Sequence, residues 1–484
     1  MINFKPVIKL SGALLLLLGV AMLTGLIPAL YFDSGDAQAL LLSGGLTIGL
    51  GLPLFLSVRS RQDGNIRKRE GYLIVALGWI TMATASTLPY VFSGTIPNWT
   101  DALFESISGI TTTGASVVTD IEALPQGILY WRSLTQWIGG MGIIVLTVAI
   151  FPLLGIGGIE LFVAEAPGPT SDKLHPRIRE TARRLWFIYL GLTAALIPIL
   201  YFAGMSFFEA INHAFTTMAT GGFSTRNASI AHWDNPLIQY PIIIFMFLAG
   251  TNFTITYFGL KGKWKRVWCS DEFKTYLGLT LLLSAVVTIS VYQSTDLSLE
   301  KAFRDSAFQV VSIITTTGFV SADYTAWNSG LTMLFFVLLF MGASAGSTSG
   351  GIKVIRHLVF FKNSFLEFRR LIHPRAIVPL KINGQLVSGK IIIHIIIFLL
   401  LYLMLFVAGS ITVSIMGLDF LTAIGAVATA LGNVGPGIGE VGPVDNFAWL
   451  PQQVKWVLCL LMLMGRLELF TILVLFSPYF WRSN

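Results

Sequence analysis

Ten apolar runs, most of them near or above the ~20 residues needed to cross the hydrocarbon core of a bilayer, leave this chain few folds to choose from. They lie near 7–31, 38–57, 71–93, 127–155, 182–204, 236–259, 276–294, 330–360, 389–416 and 452–477. With 54% hydrophobic and only 12% charged residues over 484 positions, the chain is an integral membrane protein. The first run lacks a small-residue cleavage site and leads straight into the second, so it reads as a span and not as a signal peptide. Cys269 falls in a basic loop and Cys459 within a span, which argues against a disulfide framework or a cysteine metal site.

Basic residues orient the spans. Arg59, Arg61, Arg67, Lys68 and Arg69 occupy one connection; Lys173, Arg177, Arg179, Arg183 and Arg184 the next on that side. Lys261, Lys263, Lys265, Arg266 and Lys274 follow, then eight residues between Lys353 and Lys390. With Lys5, Lys9 and Arg482 that face holds 26 of the 32 basic residues, placing both termini in the cytoplasm. The net charge of +7 is therefore a topology signal and does not mark a nucleic-acid partner. The opposite face carries fifteen acids against five bases, among them Asp101, Glu105, Glu209, Asp305, Asp323, Asp419, Glu440 and Asp445. A negative mouth concentrates cations and repels anions.

On that outer side a short Gly-centred segment recurs four times. The copies read Thr111-Thr112-Thr113-Gly114, Ala219-Thr220-Gly221-Gly222, Thr315-Thr316-Thr317-Gly318 and Asn433-Val434-Gly435, with glycines 108, 96 and 117 residues apart. The preceding stretches, 100–113, 206–221, 298–317 and 419–434, are too short to cross and dip part-way into the membrane. Thirteen residues before the glycines stand Asp101, Glu209, Asp305 and Thr422, at the register of a helix first turn, where acids and capping residues are favoured. Non-helical backbone at membrane depth is tolerated where it is buried or lines a watery cavity. Four such loops around one axis offer backbone carbonyls and Thr hydroxyls that replace the hydration shell of K⁺. The expected fold is an all-α polytopic membrane protein with four membrane–pore-loop–membrane repeats around a pseudo-fourfold pore. Two N-terminal spans precede them (1–69), and the repeats cover 70–165, 166–265, 266–375 and 376–484.

Two further features lie below the loops. The run Gly342-Ala343-Ser344-Ala345-Gly346-Ser347-Thr348-Ser349-Gly350-Gly351 is a poor helix in mid-span and exposes backbone groups. Arg466 sits deep in the last span, where a charge costs about 3 kcal/mol and faces a cavity or a partner. Counted from 330 and 450, residues 346 and 466 both lie sixteen positions in, so Arg466 is placed to donate to carbonyls of the broken helix and to oppose cation passage. Glu468, two positions on, cannot face it.

These residues resemble the potassium-translocating membrane subunits of the Trk/Ktr/HKT superfamily, and the bacterial Trk-type subunits most closely. The stretches SGITTTGAS, QWIGGMGIIVL, MATGGFST, TTTGF, GASAGSTSGGIKVIR, RLIHPRA, GNVGPGIGEVG and MGRLELF carry the resemblance, which spans essentially the whole chain. It implies gated K⁺ uptake with K⁺ bound in the filter, Rb⁺ accepted and Na⁺ weaker. It also implies a homodimer in the bacterial inner membrane and a cytosolic nucleotide-binding regulatory ring. The basic segments Arg177–Arg184 and Lys353–Arg375 are candidate docking faces for that ring. The filter departs from fourfold identity: Gly221 replaces a Thr, and Gly432-Asn433-Val434 replaces three Thr, which predicts weaker ion discrimination than four identical strands give.

Three other functions compete. A K⁺ symporter coupled to H⁺ or Na⁺ lacks mid-membrane carboxylates apart from Glu468. An organic-solute transporter typically has long inverted or parallel repeats around a roomy midplane site. An intramembrane serine protease built on Ser344 in GASAG needs His394 as its base, and the motif does not follow a strand.

Overall fold

The computed structural model describes residues 3–58, 68–140, 142, 178–376 and 378–482. The chain begins with α1 (Lys5–Thr24), α2 (Leu26–Tyr31) and α3 (Ala37–Ser57). α1 and α3 pack through reciprocal glycines: a β-carbon on Gly12 would lie 2.9 Å from the Gly51 carbonyl oxygen, and one on Gly19 the same distance from that of Gly44. Such small-residue faces let membrane helices approach backbone to backbone. Asp36 then ties this pair to the first repeat by accepting from Ile128 N at 2.8 Å.

Each repeat has an outer helix, a short re-entrant helix and an inner helix. The first is α4 (Lys68–Ser86) continued by α5 (Leu88–Phe92), then α6 (Trp99–Ile110) and α7 (Gln126–Gly140). The second is α8 (Ile178–Phe202), α9 (Phe207–Met218), and an inner helix in two pieces, α10 (Pro236–Gly250) and α11 (Phe253–Leu260), followed by the short α12 (Trp264–Trp268). The third is α13 (Asp271–Ser294), α14 (Leu299–Ile314), α15 (Ser329–Leu338) and, beyond a loop, α16 (Val354–Ile372). A two-stranded antiparallel hairpin, β1 (Lys381–Ile382) with β2 (Gln385–Leu386), leads to the fourth repeat. That repeat is α17 (Gly389–Ile415), α18 (Phe420–Gly432), α19 (Gln452–Arg466) and α20 (Leu469–Phe476), ending in α21 (Pro478–Trp481).

Among the described residues six helices are long and apolar enough to cross a membrane, and eight if each bent pair counts as one span. The other two expected spans are the first inner one, whose lower part falls outside the described residues, and the third, which stops at Leu338. The basic connection around Arg61 and Arg67, together with Lys173 and Arg177, also lies outside the described residues.

Three expectations need correction. The sequence marks a break in only one of the four inner helices, at the small-residue loop, but α10 and α11 meet at 114°, and α19 and α20 at 117°. The break in the fourth repeat turns at Glu468, which adopts φ 59°. Asp305 does not stand in a first turn, because α14 starts at Leu299 under a Ser298 cap and carries Asp305 into its buried middle. Part of the negative mouth is internal: Glu105 is fully buried against Arg132, Glu209 pairs with Arg226, and Asp101 meets Lys455 Nζ at 2.6 Å. Asp419, Glu440 and Asp445 are exposed, and Asp323 is half-buried.

Candidate ion-conducting site

Each re-entrant helix ends in the same way. The residue two before the glycine enters the left-handed region: Thr112 at φ 53°, Thr220 at 52°, Thr316 at 55° and Asn433 at 53°. Its N–H returns to the carbonyl three residues back, on Gly109, Thr217, Ile313 and Ala430. The next N–H reaches five back: Thr113 to Ser108 at 2.8 Å, Gly221 to Thr216 at 2.9 Å, Thr317 to Ser312 at 2.8 Å and Val434 to Thr429 at 3.1 Å. This is a Schellman ending with Thr or Asn where glycine usually sits. A left-handed conformation is a genuine outlier for a β-branched residue, and three Thr side chains hold it here. Asn433 tolerates it best, so the fourth loop keeps the backbone path of the others despite its different side chains.

The glycines that follow are also left-handed, at φ 85°, 80°, 77° and 106° for Gly114, Gly222, Gly318 and Gly435. Their missing β-carbons close a ring. A β-carbon on Gly114 would lie 2.3 Å from the Gly221 carbonyl oxygen, and one on Gly222 2.0 Å from that of Thr317. One on Gly318 would lie 2.0 Å from the Val434 oxygen, and one on Gly435 2.8 Å from that of Thr113. Each loop thus meets the next in the order one, two, three, four and back to one. Four helix C-termini, each with a partial negative charge, end at this ring.

Side chains brace the ring from behind. The Thr111 and Thr113 hydroxyls bond at 2.8 Å, as do those of Thr315 and Thr317 at 2.7 Å. Asn433 Nδ2 donates to Thr113 Oγ1 at 3.0 Å and to the Met462 carbonyl at 2.9 Å. Behind the first two loops, the Arg132 guanidinium bonds Glu105 at 2.8 Å, donates to the Ser224 carbonyl at 3.2 Å, and lies over the Phe223 ring at 4.2 Å. Glu105 in turn accepts from Ser116 Oγ and Val117 N. From the sequence, Glu105 and Arg132, the latter one of the five outer bases, read as outer surface charge. Their spacing of 27 along the chain carried no signal of a buried pair, which needs α6 and α7 to pack together. Gln136 on α7 was missed for the same reason; it reaches Gly221 in the second loop.

The small-residue segment packs directly against this ring. Its base is pinched by a bridge between Met341 and Ile352, and by the Gly342 N–H donating to the Ile352 carbonyl at 2.9 Å. Gly350 N donates to Thr316 Oγ1 at 2.6 Å, and Thr348 Oγ1 to the Met218 carbonyl at 3.1 Å. The second inner helix opens to receive the loop: Ser344 N donates to the Gly250 carbonyl at 3.0 Å, and Phe253 N to that of Gly346 at 3.1 Å. Ala345 N is held by Glu272 Oε1 at 2.7 Å, and Ser347 Oγ bonds the Ser344 carbonyl at 2.6 Å. Lys353 Nζ folds back onto the Ser349 carbonyl. Ala343 and Ser349 are buried, and Gly351 takes φ 62° where the loop turns into Ile352.

Arg466 clasps the loop. One guanidinium nitrogen donates to the Thr348 carbonyl at 2.7 Å, and the other to Gly139 and Gly140 of α7 at 2.6 and 3.0 Å. Arg466 therefore joins the fourth repeat to the third and the first. Glu468 pairs with Arg356 across the break. His394 lies against Phe470 with ring centres 5.1 Å apart and planes tilted by 35°, and among the described residues no hydrogen bond joins it to Ser344.

The arrangement defines a class: a predominantly helical, polytopic membrane protein whose four re-entrant loops meet in a ring above a broken inner helix. A family model described as TrkH, cation transport protein, matches residues 51–483. The potassium uptake protein TrkH of Salmonella typhimurium is 41% identical over 99% of this chain and all of its own length, and that of Escherichia coli K12 is 40% identical with the same coverage. The E. coli K12 potassium uptake protein TrkG is 35% identical over 99% of both chains. The crystal structure of the potassium transporter TrkH from Vibrio parahaemolyticus superposes with a TM-score of 0.88 at 37% identity, covering 99% of this chain and all of that one. The chain belongs to the TrkH family of cation transport proteins. It is a membrane transporter and not an enzyme, which sets the protease reading aside.

Proposed function

We propose that this protein takes up K⁺ across the bacterial inner membrane through the ring of four loops. The observation that carries the reading is the closed cycle in which each loop glycine abuts the next loop's carbonyl oxygen. Carbonyls replace the ion's hydration shell in such filters, and here those of Thr113, Gly221, Thr317 and Val434 form one layer. Names of the relatives support K⁺ as the cargo. Rb⁺ follows the same path, with Na⁺ discriminated less well. Both termini face the cytoplasm, so the ring opens outward.

Gating falls to the loop 342–351, with Arg466 as its latch. The loop bonds to the ring through Thr316, and the latch bonds to the loop through Thr348. A homodimer controlled by a cytosolic nucleotide-binding ring completes the account. The test is Rb⁺ flux into liposomes holding purified protein. Saturable uptake competed by K⁺ more strongly than by Na⁺ supports the proposal; uptake indifferent to K⁺ overturns it.

A further inference from the structure

The second loop lacks a side chain at one position where the other three carry one. Where the first, third and fourth carry Thr113, Thr317 and Val434, it carries Gly221. The space is not vacant. A β-carbon on Gly221 would lie 2.4 Å from both Cδ and Oε1 of Gln136 and 2.9 Å from its Nε2. Gln136 belongs to α7 of the first repeat and is fully buried. Its Nε2 donates to the Gly221 carbonyl at 2.7 Å, and its Oε1 accepts from Phe223 N at 3.0 Å. One amide therefore clamps the loop on both sides of Gly222, whose φ of 80° puts the chain in the left-handed region.

We infer that Gln136 is a selectivity-determining positioning residue: borrowed from the first repeat, it stands in for the second loop's missing side chain and sets the orientation of the Gly221 carbonyl in the ring. The inference rests on the filter reading above. An amide donor that occupies one lone pair of a carbonyl restrains its direction and draws on its electron density. The field that oxygen offers an ion then differs from that of its three counterparts. Gly221 and Gln136 are thus a matched pair. A Thr at 221 requires the Gln136 amide to leave, and losing the amide leaves a cavity and a free carbonyl.

The experiment compares Gln136→Met, Gln136→Ala, Gly221→Thr and the double variant Gln136→Ala/Gly221→Thr in liposomes, with thermal stability measured alongside. The readout is the K⁺/Na⁺ permeability ratio from reversal potentials, which a merely space-filling role leaves alone. Met keeps most of the volume and loses the donor, so its ratio falls by about fivefold, the equivalent of one ordinary hydrogen bond of ~1 kcal/mol. Gly221→Thr alone loses selectivity or fails to fold, and the double variant recovers a ratio well above either single change. An unchanged ratio in folded Gln136→Met, or Gly221→Thr tolerated equally with and without Gln136, overturns the inference. Gly318→Ser is the control for the underlying reading. If Gly318→Ser collapses the ratio while the Gln136 variants do not, only the inference fails; if Gly318→Ser also leaves it unchanged, the filter reading fails.

Discussion

Arg466→Ala should raise cation flux at rest. The substitution removes three carbonyl contacts, of which the one to Thr348 at 2.7 Å is the contact with the loop proposed as the gate. A hydrogen bond from a charged donor contributes about 1.5–3 kcal/mol. At 1.4 kcal/mol per tenfold, losing it shifts the loop toward release by about 10- to 150-fold. Removing a positive charge beside the path acts in the same direction, since it lowers the barrier to a cation. Arg466→Lys separates the two effects, because Lys keeps the charge without the planar fork. One ammonium replaces a guanidinium whose two nitrogens reach different repeats, so the geometry places Lys closer to Ala than to Arg. The assay is K⁺ flux per reconstituted protein, without the regulatory ring, normalised to folded protein. Flux that drops in Arg466→Ala with stability intact, or Lys indistinguishable from Arg, refutes the hydrogen-bonded latch.

Other outcomes follow from the same contacts. Deleting 345–349 removes the loop tip and should raise basal flux; equally low flux in a well-folded deletion speaks against a plug. Glu105→Ala strands a buried Arg132 and should destabilise the protein by about 3–5 kcal/mol, read as a fall in melting temperature, whereas a neutral result contradicts the brace. Asp234 lies in a connection beyond the re-entrant helix and accepts from Lys301 at 2.6 Å. That hydrogen bond, with Arg304 nearby, holds its carboxyl below the usual 3.8. Its contribution is therefore present above about pH 3.8 and is lost as pH falls through the lower folded value. Asp234→Asn should remove this part of the acid sensitivity in melting curves, and identical acid profiles would disprove the linkage.

The loops were legible in the sequence because their backbone demands are local: a left-handed residue, one intervening residue, then a glycine at the end of a short half-apolar helix. The fourth loop looked degenerate because Asn433 and Val434 differ from Thr, yet Asn suits the left-handed position and the backbone path survives. Breaks at Thr251-Asn252 and Leu467-Glu468 were hidden, since neither pair includes the Gly or Pro that usually marks an interruption. Neighbours fill both: the Gly250 carbonyl freed at the first accepts from Ser344 N, and at the second the Glu468 side chain pairs with Arg356. Asp305 misled because a common offset from glycine was taken as a common helix start, and α14 begins a turn and more earlier than that register implies. Contacts between repeats, such as Gln136 to Gly221 or Arg466 to Gly139, link residues 85 and 327 positions apart. No local pattern encodes them.

The central claim is that the four loops form one selective ring. The direct test is the reversal potential of purified protein in liposomes under opposed K⁺ and Na⁺ gradients, for the parent and for Gly114→Ser, Gly222→Ser, Gly318→Ser and Gly435→Ser. In every case the added β-carbon collides with the next loop's carbonyl, with the shortest approach of 2.0 Å at Gly222 and Gly318 and the longest, 2.8 Å, at Gly435. The account predicts a K⁺-directed potential in the parent that moves toward zero in all four variants, least at Gly435. A K⁺/Na⁺ ratio unchanged across the four folded variants would contradict it.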